Sequence, residues 1–570
     1  MAATAGARPL HGPGDVTEAV VLADGPFSLG RDGRPLYTRV RIPDERLDPG
    51  PRGPRFEVEL LDATGTPVPV QLAGRGGWGL KRAAPPRTAA RLLHDTRFLA
   101  QHAYAVAAET LAVFERSLGR RVPFALDSRL VLRVHLDPAV HHETRYDPVQ
   151  QIVEFGEEPD GIWSMACHRD VVTHEVVHAI LHGLRPRWTD RHATLDQYAV
   201  HEAVADLVAL LSVMSSREVV EKLIGEKLAA LVPGSDPLHP TPRMLARLEE
   251  AIHGSGLLSF AGNFKARGGS IRDAGAPPAA GWRSDPSPYA RASGFVYAMM
   301  RAALVLWGRR LDVPGGRASV YVAAEAGAEI GAHLRRMLIR GLSYMPPVDV
   351  DIEDLVRGLL AADLVVVPSD DRAYRAVLRQ AFAEVGLVVE ADAVLRSGAR
   401  MGRLEYGLRP GTLDAGGEEI VKFCWNNRAL LEHLQLNAGQ RIMVDRVRFS
   451  TRVSPDGFVV QELGASVVQE YVLPAAEARK LGLRTAGSVV MRGGALLRFD
   501  AGGRLCFIAV KKVMDLERRQ RLLDEAEQLR HGPEPPPGGA SLREAAADSG
   551  SKRFFSRHAV RWERPDPDNA

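Results

Sequence analysis

The chain has 570 residues, too many for one hydrophobic core, so several structural units are expected. Its 73 basic and 70 acidic residues nearly cancel, which removes any electrostatic case for nucleic acid or a membrane surface as partner. Cys167, Cys424 and Cys506 stand far apart with no C-x-x-C pair, which argues against a disulfide framework and for a reducing compartment. No basic-then-apolar leader is apparent, and no run approaches the roughly 20 apolar residues of a membrane span. Together these features lead to the expectation of a cytoplasmic protein.

Residues 1–88 are rich in Gly and Pro and are expected to form a β-rich N-terminal region. FEVELLDATGTPVPVQL (Phe56–Leu72) reads as a hairpin with two β-type runs around Ala63–Thr66. GRGGWG (Gly74–Gly79) lacks the strand–loop–helix setting of a phosphate loop and reads as a flexible connection. A helix is predicted over Thr96–Leu118, with strands over Leu130–Leu136 and Gln151–Phe155. From Arg169 to about Leu387 the apolar period is helical, including helices over 171–182 and 198–214. Residues 89–395 are therefore taken as one core with a helical lobe reaching 390. The texture then changes to strands and turns, and 400–530 reads as a β-rich C-terminal domain closed by the charged helix DLERRQRLLDEAEQLR. PEPPPGG begins a linker, and 533–570 reads as linker and disordered tail.

The central stretch THEVVHAILHG (Thr173–Gly183) carries H-E-x-x-H. On a helix His174 and His178, four apart, share one face, where two imidazoles can bind one tetrahedral ion. Glu175 is placed to take a proton from a zinc-activated water. The competing reading is a buried helix whose histidines make ordinary hydrogen bonds. The next helix, YAVHEAVADLVALL, sets Glu202 and Asp206 four apart among apolar residues, and such an acidic pair is costly to bury without partners. Glu202 can supply the third ligand, and Asp206 can accept the other ring N–H of a ligand histidine. His182 lies about 12 Å along the axis from His174, too far to join the same ion. His201 is expected to point about 100° away from Glu202 and to be structural. Tyr198 reads as a half-buried core residue.

RDVVTHEVVHAI followed by HEAVADL resembles the thermolysin-like (gluzincin) zinc metallopeptidases, whose second motif is N-E-A-x-x-D. Here His201 stands in the Asn position. The resemblance covers about residues 90–390. It implies an α+β, two-lobed zincin core with one zinc per chain held by His174, His178 and Glu202, a ligand set that the family is known for. It further implies Glu175 as general base, RYDPVQQIVEFG as the edge strand beside the substrate, and Arg272 in GGSIRDAGAPP as a carbonyl-binding residue. DPSPYARASGFVYAMM resembles the segment ending in H-x-x-S-G. There the family's oxyanion-binding His falls on Ala290, while its orienting Asp is present as Asp285. The donor is then missing unless Tyr289 or Arg291 substitutes. The clamping Asn and the acidic calcium cluster of the family are not evident.

The resulting expectation is a zinc endopeptidase, a hydrolase acting on a peptide or protein substrate. The alternative is a zinc-binding pseudopeptidase or regulatory protein with lost or highly restricted proteolysis. The β-rich ends, 1–88 and 400–530, are expected to be appended, with recognition of a protein partner and covering of the cleft as the two roles the sequence leaves open.

Overall fold

The computed structural model describes residues 16–531, apart from 27, 31, 49–51, 71–83, 93, 127, 137–143, 157–163, 191, 232–273, 312–318, 390–407, 409–416, 428–433, 438, 454–456 and 458. The glycine-rich connection at 74–79, the linker and tail at 533–570, and Arg272 lie outside the described residues.

Strands β1 (Val16–Leu22) and β2 (Tyr37–Pro43) pair antiparallel. Strand β3 (Phe56–Leu61) does not build the expected strand hairpin. Its turn exists, with the Asp62 carboxylate accepting from the Thr64 and Thr66 N–H groups at 2.9 Å each. The returning run keeps only a bridge of Leu61 with Pro67, because Pro67 and Pro69 have no N–H for a ladder. The partner of β3 along its length is β4 (Leu130–His135), parallel to it, with Phe56 opposite Leu130. Pairing thus runs across residue 88, where the sequence reading set a boundary. Val21, Ile42 and Val58 belong to the same buried cluster as Val176 and Leu207.

Helix α1 (Thr96–Leu118) has the bounds its apolar pattern predicts. Asp95 caps its N-terminus by accepting from Phe98 N at 2.8 Å, and Gly119 ends it at φ 65°. The sheet it packs on runs β3-β4-β6-β5, with β5 (Arg145–Asp147) at an edge beside β6 (Ile152–Phe155). Strands β3, β4 and β6 are parallel and β5 is antiparallel, so the sheet is mixed.

Helices α2 (Arg169–Leu184) and α3 (Leu195–Met214) follow. Helix α2 is buried at every residue, so it sits inside the molecule and has no solvent face. Thr194 and Gln197 form a reciprocal capping box that starts α3. Helices α4 (Arg217–Leu231), α5 (Pro288–Leu311), α6 (Val320–Gly341), α7 (Ile352–Val366) and α8 (Tyr374–Glu384) complete the helical part. Helix α3 packs against α2, α5 and α6 at once.

After α9 (Glu418–Asn426) comes an antiparallel sheet of order β10-β9-β8-β7. Its strands are β7 (Met443–Val453), β8 (Val459–Leu473), β9 (Val489–Asp500) and β10 (Leu505–Lys511), and helix α10 (Leu516–His531) closes it. One face has its own core of Leu463, Val467, Leu497 and Phe499 with Phe423. The other is seated on the helical part, where Leu496 and Phe507 pack with Tyr344, Ala361 and Ala362. A buried carboxylate, Glu462, joins Arg452, Arg498 and the Tyr344 hydroxyl across this seam. Strand β7 also reaches α1. Thr451 N donates to Gly119 O at 2.9 Å, and a Cβ on Gly119 would stand 2.1 Å from Thr451 O, so only glycine fits there. The class is mixed α+β, and no described helix is long and apolar enough to cross a membrane.

Candidate metal centre

Helices α2 and α3 lie side by side and turn His174, His178 and Glu202 toward one point. Each offers one ligand atom, and all three atoms lie within 4.8 Å of one another. Nε2 of His174 and Nε2 of His178 are 3.0 Å apart. The Glu202 carboxylate oxygens stand 3.8 Å from His174 Nε2 and 3.9 Å from His178 Nε2. Two nitrogens bound to one tetrahedral ion at ordinary zinc distances are about 3.3 Å apart, so the donors need move only a few tenths of an ångström to hold one.

The outer partners fix which nitrogens face inward. Asp206, fully buried, brings Oδ1 to 3.1 Å from His174 Nδ1. An ionised carboxylate only accepts, so its place beside Nδ1 favours the tautomer with the proton on Nδ1 and Nε2 bare. On the other side His178 Nδ1 lies 2.7 Å from His201 Nδ1, and the two rings stack 5.0 Å apart at 6°. With His178 as donor in that bond, its Nε2 is bare as well. In those tautomers two lone pairs and a carboxylate oxygen converge in a buried site, and a cation among them offsets their repulsion. The donor set therefore fits a metal ion, and among the described residues it is the one such group.

Glu175 is buried beside His174 on α2. Asp206 and Glu202 are 0% and 3% exposed, so the solvated acidic face that would otherwise explain their spacing does not exist. His201, expected to be structural, stands directly behind the candidate ligand His178. The sequence signal was available in its alignment with the Asn of N-E-A-x-x-D. His182 is absorbed elsewhere, with Nδ1 3.1 Å from the hydroxyl of Tyr146 on the edge strand. Burial, then Arg446, lowers its pKa to about 4.

The expected oxyanion donors fare differently. Tyr289 is half-buried in the first turn of α5. Arg291 is 3% exposed and engaged on every side. Its Nη1 bonds Asp196 Oδ1 at 2.7 Å, Nη2 bonds Glu525 Oε1 at 3.1 Å, and Nε donates to Asp285 O at 2.6 Å. Asp196 precedes Glu202 by six residues, about 9 Å along the helix. Arg291 thus ties α5 to the first turn of α3 and to α10, and its guanidinium is not turned to a substrate carbonyl. Asp285 accepts from Ser287 N at 2.8 Å and shapes the turn before α5. These contacts border a cavity of about 370 Å³ lined by Asp196, Trp282, Arg291, Glu353 and Glu525 among others.

Sequence reading also missed Asp24. It approaches the fully buried Asp170 in the first turn of α2 and accepts from Ser28 at 2.7 Å. Burial, then the Asp24 carboxylate, raises the Asp170 pKa to about 7.

No family model matches this chain, and no curated protein matches it.

Proposed function

We propose that this chain is a zinc-dependent endopeptidase with a two-lobed, thermolysin-like core. The observation that supports it most is the convergence of His174, His178 and Glu202, with Asp206 3.1 Å behind one imidazole and His201 2.7 Å behind the other. Zinc is the ion that a His₂Glu set favours, and when bound there it supplies Lewis acidity toward water and a peptide carbonyl.

The remaining work falls to the chain's own residues. Asp206 and His201 hold the two imidazoles in the tautomers that present Nε2. Glu175 takes a proton from the attacking water and delivers it to the leaving amine. Strand β5 ends the sheet order and is pinned to α2 through Tyr146 and His182, which suits it as a rail for an extended peptide. Tyr289 is the remaining described candidate for the carbonyl oxygen, and Arg272 keeps the role its motif implies.

A second reading is favoured by one specific observation. Ala290 has no side-chain donor, and Arg291 is fully engaged with Asp196 and Glu525. An oxyanion donor is worth about 10²–10³ in rate, so a zinc-binding protein with narrow or lapsed proteolysis is the alternative.

The deciding experiment measures zinc content and casein hydrolysis together, for wild type and Glu175→Gln, with and without chelator. One zinc per chain with chelator- and Glu175-dependent cleavage supports the peptidase. One zinc without cleavage supports the second reading. A Glu175→Gln protein that cleaves at the wild-type rate removes Glu175 from the mechanism.

A further inference from the structure

Four arginines meet where α1, α2 and β7 come together, remote in sequence from one another. Arg120 follows the Gly119 cap of α1, and Arg185 ends α2. Arg446 and Arg448, two apart on β7, share the face turned to those helix ends. None of the four has a carboxylate within ion-pair distance among the described residues. Asp445 acts on Arg185 and Arg446 from nearby but is bonded to Arg187 at 2.6 Å.

Two of the four have a structural use. Arg446 donates to Gly183 O at 2.7 Å and Leu184 O at 3.2 Å, closing the C-terminal end of α2, and Arg185 donates to Leu342 O at 2.5 Å. The other two do not. Arg120 keeps a buried Nη1 with no hydrogen-bond partner, and Arg448 has only the carbonyl of its neighbour Val447, at 3.1 Å. Burial, then the surrounding arginines, lowers the pKa of Arg120 to about 9. Arg498 acts on Arg120 and Arg185 as well but is paired with Glu462. Positive charge is thus crowded at one half-buried place, and among the described residues only Asp445 offsets it from nearby.

We propose that Arg120, Arg185, Arg446 and Arg448 form a binding site for a phosphate group, free or as a phosphomonoester. A carboxylate brings one charge, whereas phosphate brings nearly two and several acceptor oxygens. Those match the forked N–H groups of several guanidiniums at once. Arg185 and Arg446 are held in place by backbone carbonyls, so part of the site is preorganised. Arg448 is exposed and leaves the site open to solvent. The site does not depend on the peptidase reading, since no metal ligand belongs to it.

The test is calorimetric titration of the full-length protein with inorganic phosphate and, separately, with AMP, at constant ionic strength. Saturable one-to-one binding of either is expected, weakened at least about tenfold in Arg120→Gln and in Arg448→Gln, while Arg283→Gln binds as wild type. Tighter binding of AMP identifies an ester as the ligand, and binding of phosphate alone identifies the free ion. Arg448→Gln, at an exposed position, keeps the test decisive if Arg120→Gln fails to fold. Absence of saturation in wild type up to about 10 mM, or equal binding by the Arg448 variant, overturns the proposal.

Discussion

Nδ1 of His201 lies 2.7 Å from Nδ1 of His178, across the gap between two helices. This contact decides the chemistry of His178. If His201 accepts, His178 presents a bare Nε2 to the site; if His201 donates, that nitrogen carries a proton and cannot bind a metal. His201→Ala should therefore weaken zinc binding by about 10–100-fold while the protein stays folded. Competition titration against a chromogenic chelator measures this, and an unchanged affinity would show that the contact is only packing. His201→Asn, which can also accept from His178, should recover much of the loss.

Glu175→Gln separates metal binding from chemistry. Zinc content should remain one per chain, and casein hydrolysis should fall by about 10²–10⁴-fold, the range of a lost general base. A parallel loss of zinc would instead place Glu175 among the structural supports of the site.

Arg291 should behave as a structural residue. Its guanidinium joins Asp196 and Glu525 in a mostly buried cluster. Arg291→Ala leaves both carboxylates without this partner and should cost about 3–5 kcal/mol of stability. Denaturant unfolding checks the loss. A stable variant with depressed kcat would restore the oxyanion role that the contacts speak against.

Asp170 sets a pH dependence. Its ordinary pKa is near 3.8, and burial beside Asp24 raises it to about 7, with His168 pulling the other way. The unfolded chain gives up this proton near pH 4, whereas the folded chain holds it until about 7. The stability from a neutral Asp170 is complete below about pH 4 and is lost as pH rises through 7. Asn at this position is neutral throughout. Asp170→Asn should match wild type near pH 4 and gain on it up to pH 7, with a constant lead above that. Thermal unfolding across this range is the measurement, and parallel curves for the two proteins would refute the raised pKa.

The candidate ligands were legible because helical spacing is a local property. His174 and His178 share a face by the 100° step alone, and the apolar flanks of Glu202 and Asp206 already marked that acidic pair as buried. The course of α1 was equally plain, from Asp95 at its start to Gly119 at its end. The Thr64–Gly65 turn was correct, yet the strand pairing after it was not. Turn chemistry is local, whereas β3 chose a partner 74 residues away.

By itself the sequence determined the helices over Thr96–Leu118 and at the two histidine- and glutamate-bearing segments, and the residue types of a His₂Glu set. Each follows from periodicity or spacing within one segment. Tertiary structure decided what meets across segments. It set His201 behind His178, joined Arg291 to Glu525 in the last helix, brought Asp24 to Asp170, and seated the C-terminal sheet on the helical part. Such contacts depend on how helices pack and chains cross over, and residues that meet this way carry no mark of it in their own neighbourhood.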